Sequence, residues 1–118
     1  MEKLTLEESW KYCLKMWKWI KEESKKVELH EGEYLFLKIE ELKREWLKLN
    51  KMDEIYNNCF FCKYGYDNKQ TKYSCNSCPG VLIDKDFRCN DDKYAYDKNP
   101  ELFYKELLRL NKIRKAQK

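Results

Sequence analysis

Thr5-Leu6-Glu7-Glu8-Ser9-Trp10-Lys11-Tyr12-Cys13-Leu14-Lys15-Met16-Trp17-Lys18-Trp19-Ile20 is the stretch that decides the fold. Thr5 to Glu8 has the form of a capping box, in which a Thr hydroxyl and a Glu carboxylate each satisfy a free amide at a helix start. Leu6, Trp10, Cys13, Trp17 and Ile20 then follow at alternating spacings of four and three, one apolar stripe of a helix. Tyr12, Met16 and Trp19 form a second line beside it, so the apolar face is wide and fits a helix packed against more than one element. This helix is expected to run to about Ser24.

Downstream the same spacing recurs. Leu35, Ile39, Leu42, Trp46 and Leu49 predict a second helix over about Glu33 to Leu49, folded back on the first through a polar turn ending at Gly32. At the far end, Asn99-Pro100-Glu101 reads as N-cap, first-turn Pro and first-turn acid. Phe103, Leu107, Leu110 and Ile113 then supply an apolar face through about Lys115.

Composition agrees with helices. The chain has 3 Gly and 2 Pro among 118 residues, about 4% against roughly 12% on average. That excludes collagen-like, Pro-rich and Gly/Ser-linker chains, and disfavours an all-β sandwich with its many turns. No basic n-region follows Met1, and the apolar run from Trp10 to Ile20 is broken by Lys11, Lys15 and Lys18. Neither a signal peptide nor a membrane span is expected, and a cytoplasmic, reducing location follows. In such a compartment the 6 Cys read as metal ligands or buried thiols rather than disulfides.

The segment from 63 to 98 is poor in core residues. Val81, Leu82, Ile83 and Phe87 are its aliphatic and Phe side chains, too little apolar surface to offset its ordering entropy unaided. Two Cys-x-x-Cys pairs, Cys59-Phe60-Phe61-Cys62 and Cys75-Asn76-Ser77-Cys78, supply the help. Each pair presents two thiolates from one tight knuckle, and facing knuckles complete the tetrahedral sulfur site that Zn²⁺ favours. Gly65 and Pro79-Gly80 read as the turns beside them, and Val81 to Ile83 as one short strand. A four-thiolate site is closed to substrate, so the metal is expected to be structural. Three readings stand for Cys89: an alternative fourth ligand, a spare thiol near the site, or plain packing. Cys13, on the apolar stripe, reads as a small buried hydrophobe.

Little else points to catalysis. His30 sits alone in a polar turn, no Gly-rich phosphate loop exists, and Asp84, Asp86, Asp91 and Asp92 lack calcium-loop spacing. A non-enzymatic protein with no small-molecule substrate is expected.

Charge is uneven. The overall net charge is +4, and the excess of basic over acidic residues is concentrated after Asn99. Lys105, Arg109 and Lys112 share the face of the last helix opposite its apolar one. That face suits a phosphate backbone or an acidic protein surface, although basic residues near a helix C-terminus are also favoured by the helix dipole. Most basic residues are Lys, so bidentate recognition is confined to Arg44, Arg88, Arg109 and Arg114. Phe60, Phe61, Tyr64, Tyr66 and Tyr73 surround the knuckles beside Lys63, Lys69 and Lys72, either as a small core around the metal or as stacking surfaces for single-stranded bases. The tryptophans read as core, with Trp19 the one partly exposed and a candidate interface anchor.

The expected fold is thus mainly α with little β structure. A helical hairpin over 1–57, a four-cysteine zinc module over 58–98 and a basic helix over 99–118 would form one compact unit. The arrangement resembles a loose group of small phage and prophage proteins. They share a Trp-rich leading helix, here with Met16-Trp17-Lys18-Trp19, then a phrase like Asn58-Cys59-Phe60-Phe61-Cys62-Lys63-Tyr64. A Cys-x-x-Cys-Pro follows, here Cys75 to Pro79, then a later Cys89 and a closing helix. The resemblance implies a zinc-bound accessory protein in the cytoplasm of a bacterial host. By analogy with counter-defence proteins such as anti-CRISPRs, it would bind and inhibit a host protein or ribonucleoprotein defence complex through residues such as Trp19, Tyr64, Tyr66, Lys105, Arg109 and Lys112. A nucleic-acid-binding regulator using the basic helix and knuckle aromatics is the alternative.

Overall fold

The computed structural model describes residues 4–55, 58–67, 78–85, 87 and 99–117. Among them are five helices and no strand: α1 (Leu6–Ser24), α2 (Leu35–Leu49), α3 (Phe60–Asp67), α4 (Pro79–Ile83) and α5 (Pro100–Ala116). The fold is mainly α. None of these helices is long and apolar enough to cross a membrane.

Helix α1 begins where its capping box places it. Thr5 Oγ1 accepts the Glu8 N–H at 3.1 Å, and the Glu8 carboxylate accepts the Thr5 N–H at 3.1 Å. The wide apolar face does what its width implies, since α1 packs against α2, α3, α4 and α5. Trp10, Cys13, Met16, Trp17 and Ile20 are buried along it, while Tyr12 and Trp19 are half-buried at its margins. Leu6, the first residue of the expected stripe, stands at the exposed edge.

Gly32, at φ 85°, occupies the left-handed conformation that favours glycine in the turn before α2. His30 is exposed there, its N–H donating to the Glu33 carboxylate at 2.8 Å, an ordinary turn residue. Helix α2 packs on α1, but its buried line is rotated from the expected one. Ile39, Lys43, Trp46 and Leu47 are buried, Leu35 and Leu42 are half-buried, and Leu49 is exposed.

Helix α5 is capped by Asn99, whose side chain accepts the Leu102 N–H at 3.0 Å, with Pro100 in the first turn. Phe103, Leu107 and Leu110 are buried as the spacing requires, with the Trp17 and Phe103 rings edge-to-face at 4.8 Å. Ile113 is at the exposed margin. Arg114 lies over the Trp10 ring, 5.1 Å from its centroid, and pairs with Glu7, so it braces α5 against α1.

Two local expectations are corrected. Val81, Leu82 and Ile83 belong to α4 and not to a strand, because Pro79 is pre-set for a first helical turn and the turn closes with Leu82 N–H to Cys78 O at 3.1 Å. Gly65 lies buried within α3 rather than in a turn after Cys62.

Gly80 is needed for a different reason from Gly32. A Cβ there would stand 2.6 Å and 2.7 Å from two ring carbons of Phe87. Phe87 is buried between Phe61 and Phe103, at centroid distances of 6.2 Å and 6.3 Å, so its ring has no room to retreat. Gly80→Ala is expected to cost about 1–3 kcal/mol, the usual range for overpacking. Urea unfolding would read this, and a variant as stable as the parent would show that α4 can shift away from Phe87.

Candidate metal centre

The chain enters the first Cys-x-x-Cys through a tight turn. The Asn58 N–H donates to Ile55 O at 2.8 Å, the Asn58 side chain accepts the Ile55 N–H at 3.3 Å, and Asn58 takes φ 46°, a conformation that Asn tolerates. Cys59 is therefore set directly before α3. Its Sγ accepts the Cys62 N–H at 3.4 Å, bringing both thiols to the first turn of the helix.

The residues between the two cysteines fix this turn on the core. Phe60 packs against Tyr12 at 5.2 Å and edge-to-face on Trp46 at 5.7 Å. Phe61 lies edge-to-face on Trp10 at 4.8 Å. Both rings are almost wholly buried. Of the two sequence readings of these aromatics, packing is the one realised, and it is packing in the main core rather than a separate small one.

Cys78 occupies the equivalent place on α4. It is the N-cap residue, buried, with φ −67° and ψ 131°. Helices α3 and α4 pack on one another and both pack on α1, with Cys59 directly before α3 and Cys78 directly before α4. Among the described residues no three Cys, His, Asp or Glu side chains gather as a group that could hold a metal. Cys75 and Cys89 lie outside the described residues.

The electrostatics at Cys59 bear on whether its surroundings fit a cation. The Cys62 thiol hydrogen-bonded beside it and burial together push the Cys59 thiol well above the ordinary thiol range. The charges of Cys62 and Cys13 add to this push, and the Lys43 ammonium opposes it. The hydrogen bond with Cys62 and burial favour the protonated thiol first, and repulsion between neighbouring thiolates adds to them. A coordinating divalent cation would reverse that sign and deprotonate the thiols. Cys13 thus belongs to the surroundings of this thiol pair as well as to the α1 core, a placement its position on the apolar stripe does not reveal.

A pH dependence follows for the metal-free chain. A thiol that titrates higher in the fold than in the unfolded chain leaves stability intact below about pH 8.5, the unfolded value, and stability falls as pH rises toward the folded value. Metal-stripped protein should show a lower urea midpoint at pH 10 than at pH 7, and Cys59→Ala should lose less over that interval. Equal losses in the two proteins would rule out Cys59 as the source.

The residues proposed from sequence to meet a partner are spread over three helices. Lys105 and Lys112 are exposed on α5. Arg109, on the same face, pairs with Glu106 at 2.9 Å and reaches Asp84, at the end of α4, at 3.8 Å. Tyr66 is exposed on α3, whereas Tyr64 and Trp19 are half-buried against the core. Lys63, named from sequence as lying beside the candidate stacking aromatics, is largely covered and bound to Asp67 at 2.8 Å, whose carboxylate also accepts the Leu4 N–H at 3.0 Å. Tyr73, Lys69, Lys72 and Arg88 lie outside the described residues.

No protein-family model matches the chain, and no curated protein and no solved structure matches it either.

Proposed function

We propose that this chain is a non-enzymatic, zinc-stabilised binding protein that acts by occupying the surface of a host macromolecule. What supports the metal part is the Cys59–Cys62 pair, hydrogen-bonded at the start of α3, with Cys78 directly before α4, a helix that packs on α3. Cys75, and Cys89 as an alternative, would complete the set. Four thiolates around Zn²⁺ close the site, so the metal's part is to hold α3 and α4 in place.

The partner is a protein or a protein-containing complex in this reading. Arg109, Arg114 and Lys63 are engaged within the chain, and the knuckle phenylalanines are core. These are the groups that phosphate binding and base stacking would need free. Large apolar side chains are exposed instead, among them Tyr34, Phe36 and Leu37 at the start of α2. Taken with the resemblance to phage accessory proteins, this favours a counter-defence inhibitor, with an RNA-guided nuclease complex as the target.

The test is a cleavage assay in which purified zinc-loaded protein is titrated into such a nuclease complex. Stoichiometric inhibition that excess non-target DNA does not relieve is expected. Inhibition abolished by competitor DNA and by raised salt would favour the nucleic-acid-binding alternative, and no inhibition would overturn the assigned target.

A further inference from the structure

Helix α2 opens in a way that its own stability does not explain. Helices α1 and α5 each begin with a side-chain cap and an acid in the first turn, and both features stabilise a helix start. Helix α2 has neither. Its N-cap is Tyr34, whose carbonyl accepts the Leu37 N–H at 3.2 Å to close the first turn. Tyr34, Phe36 and Leu37 are 61%, 45% and 50% exposed around that turn, with the Tyr34 and Phe36 rings 5.9 Å apart. One exposed apolar side chain is ordinary, but several large ones gathered at one place mark a contact surface.

The charge around this cluster selects what covers it. From Glu28 to Glu41 the chain holds five glutamates and one lysine, and that lysine, Lys38, is bound to Glu33 at 2.8 Å. The cluster is therefore set among negative charges. Helix α5 carries the reverse pattern, with five basic residues and one acid from Leu102 to Ala116. Leu102, Lys105, Leu108, Lys112 and Lys115 follow at spacings of three and four as one exposed line, in which leucines alternate with lysines. The two surfaces do not meet within one molecule, since α2 and α5 each pack on α1 and not on one another.

Between two molecules the pairing is decided by sign. Cluster on cluster brings two sets of glutamates together, and α5 on α5 brings two sets of lysines together, and like charges facing each other oppose association. We propose that a second copy of this chain docks its exposed α5 line on the apolar start of α2, joining leucines to the Tyr34, Phe36 and Leu37 cluster and lysines to the glutamates beside it. Different surfaces meet in this contact, so each copy keeps one surface unused and association continues head to tail. The inference stands apart from the zinc and host-target readings.

Sedimentation equilibrium of the full chain in reducing, low-salt buffer tests it, the reductant keeping the free thiols from cross-linking copies. The average mass is expected to climb above that of one chain between about 10 µM and about 1 mM, and to fall back as salt is raised. Two variants separate the surfaces. Phe36→Gln with Leu37→Gln removes the apolar cluster, and Lys105→Glu with Lys112→Glu reverses the α5 line. All four positions are exposed, so both variants should keep the parent's circular dichroism; if either folds poorly, Leu37→Gln and Lys112→Glu alone carry the same comparison. Each variant by itself should associate at least about 10-fold more weakly than the parent. An equimolar mixture should recover association and stop at two chains, because each variant keeps the surface that the other lacks. A parent that stays monomeric throughout overturns the proposal and leaves the cluster to a partner of another kind. A variant that associates like the parent, or a mixture no heavier than its components, overturns it equally, because a contact between like surfaces survives in one variant and is not restored by mixing.

Discussion

Replacing Cys59 or Cys78 by Ser is expected to abolish tight zinc binding and release α3 and α4 from the helical core. Structural zinc contributes roughly 10–16 kcal/mol to small domains at neutral pH, comparable with the whole stability of a chain this size. A serine hydroxyl does not replace a thiolate for a soft metal. Cys78→Ser also alters the buried residue that opens α4. The loss should spread beyond these short helices. Phe60, Phe61 and Phe87 are buried in the same cluster as Trp10, Ile39 and Leu107, so their release opens one side of α1. Far-UV circular dichroism should therefore keep much of the signal of α1, α2 and α5, while near-UV signals from the tryptophans weaken and protease resistance falls. Metal analysis should find about one zinc in the parent and little in either variant. Full zinc retention in both would remove these cysteines from the ligand set.

The long helices were legible because local and tertiary signals agree in them. Thr5 and Glu8 satisfy each other's amides, Asn99 caps α5 ahead of Pro100, and Gly32 takes the positive φ that its place between two helices suggests. The short helices were less so. In α4, the β-branched Val81 and Ile83 argue for a strand, but Cys78-Pro79-Gly80 opens a helical turn and Gly80 lets it press on Phe87. In α3, the cysteine spacing draws attention to a metal-binding loop, whereas Phe60 and Phe61 are the anchors that make the segment a helix.

At the site, spacing alone singles out the paired cysteines, because two thiols three residues apart are a local arrangement. Cys13 on α1 and Lys43 on α2 enter the electrostatics of Cys59 only through tertiary packing. Nothing local to either marks that meeting. A lysine among Ile39, Leu42 and Trp46 reads as the polar side of a helix until the register of packing is known. That register turned Lys43 and Leu47 inward and left Leu49 outside.

Phe61→Ala separates the two roles that a knuckle aromatic can play. The ring is 2% exposed and joins three parts of the fold, lying on α3 edge-to-face with Trp10 of α1 at 4.8 Å and with Phe87 at 6.2 Å. Truncating a buried Phe costs about 3–5 kcal/mol, to which the aromatic pairs contribute roughly 0.5–1.5 kcal/mol each. The vacated space is bounded by large rings that already pack on other neighbours, Trp10 under Arg114 and Phe87 against Gly80. Collapse to fill it is therefore limited, and the loss should lie toward the upper end of that range. Zinc-loaded Phe61→Ala is expected to show a urea midpoint far below the parent's. Tyr66→Ala, at an exposed position on the same helix, should change stability by less than about 0.5 kcal/mol. A base-stacking role would reverse the pattern, leaving stability nearly intact in Phe61→Ala while single-stranded nucleic-acid binding fell sharply. The interlocked rings favour the first outcome, in which Phe61 joins the cysteine motif to the helical core and any partner is met by residues outside it.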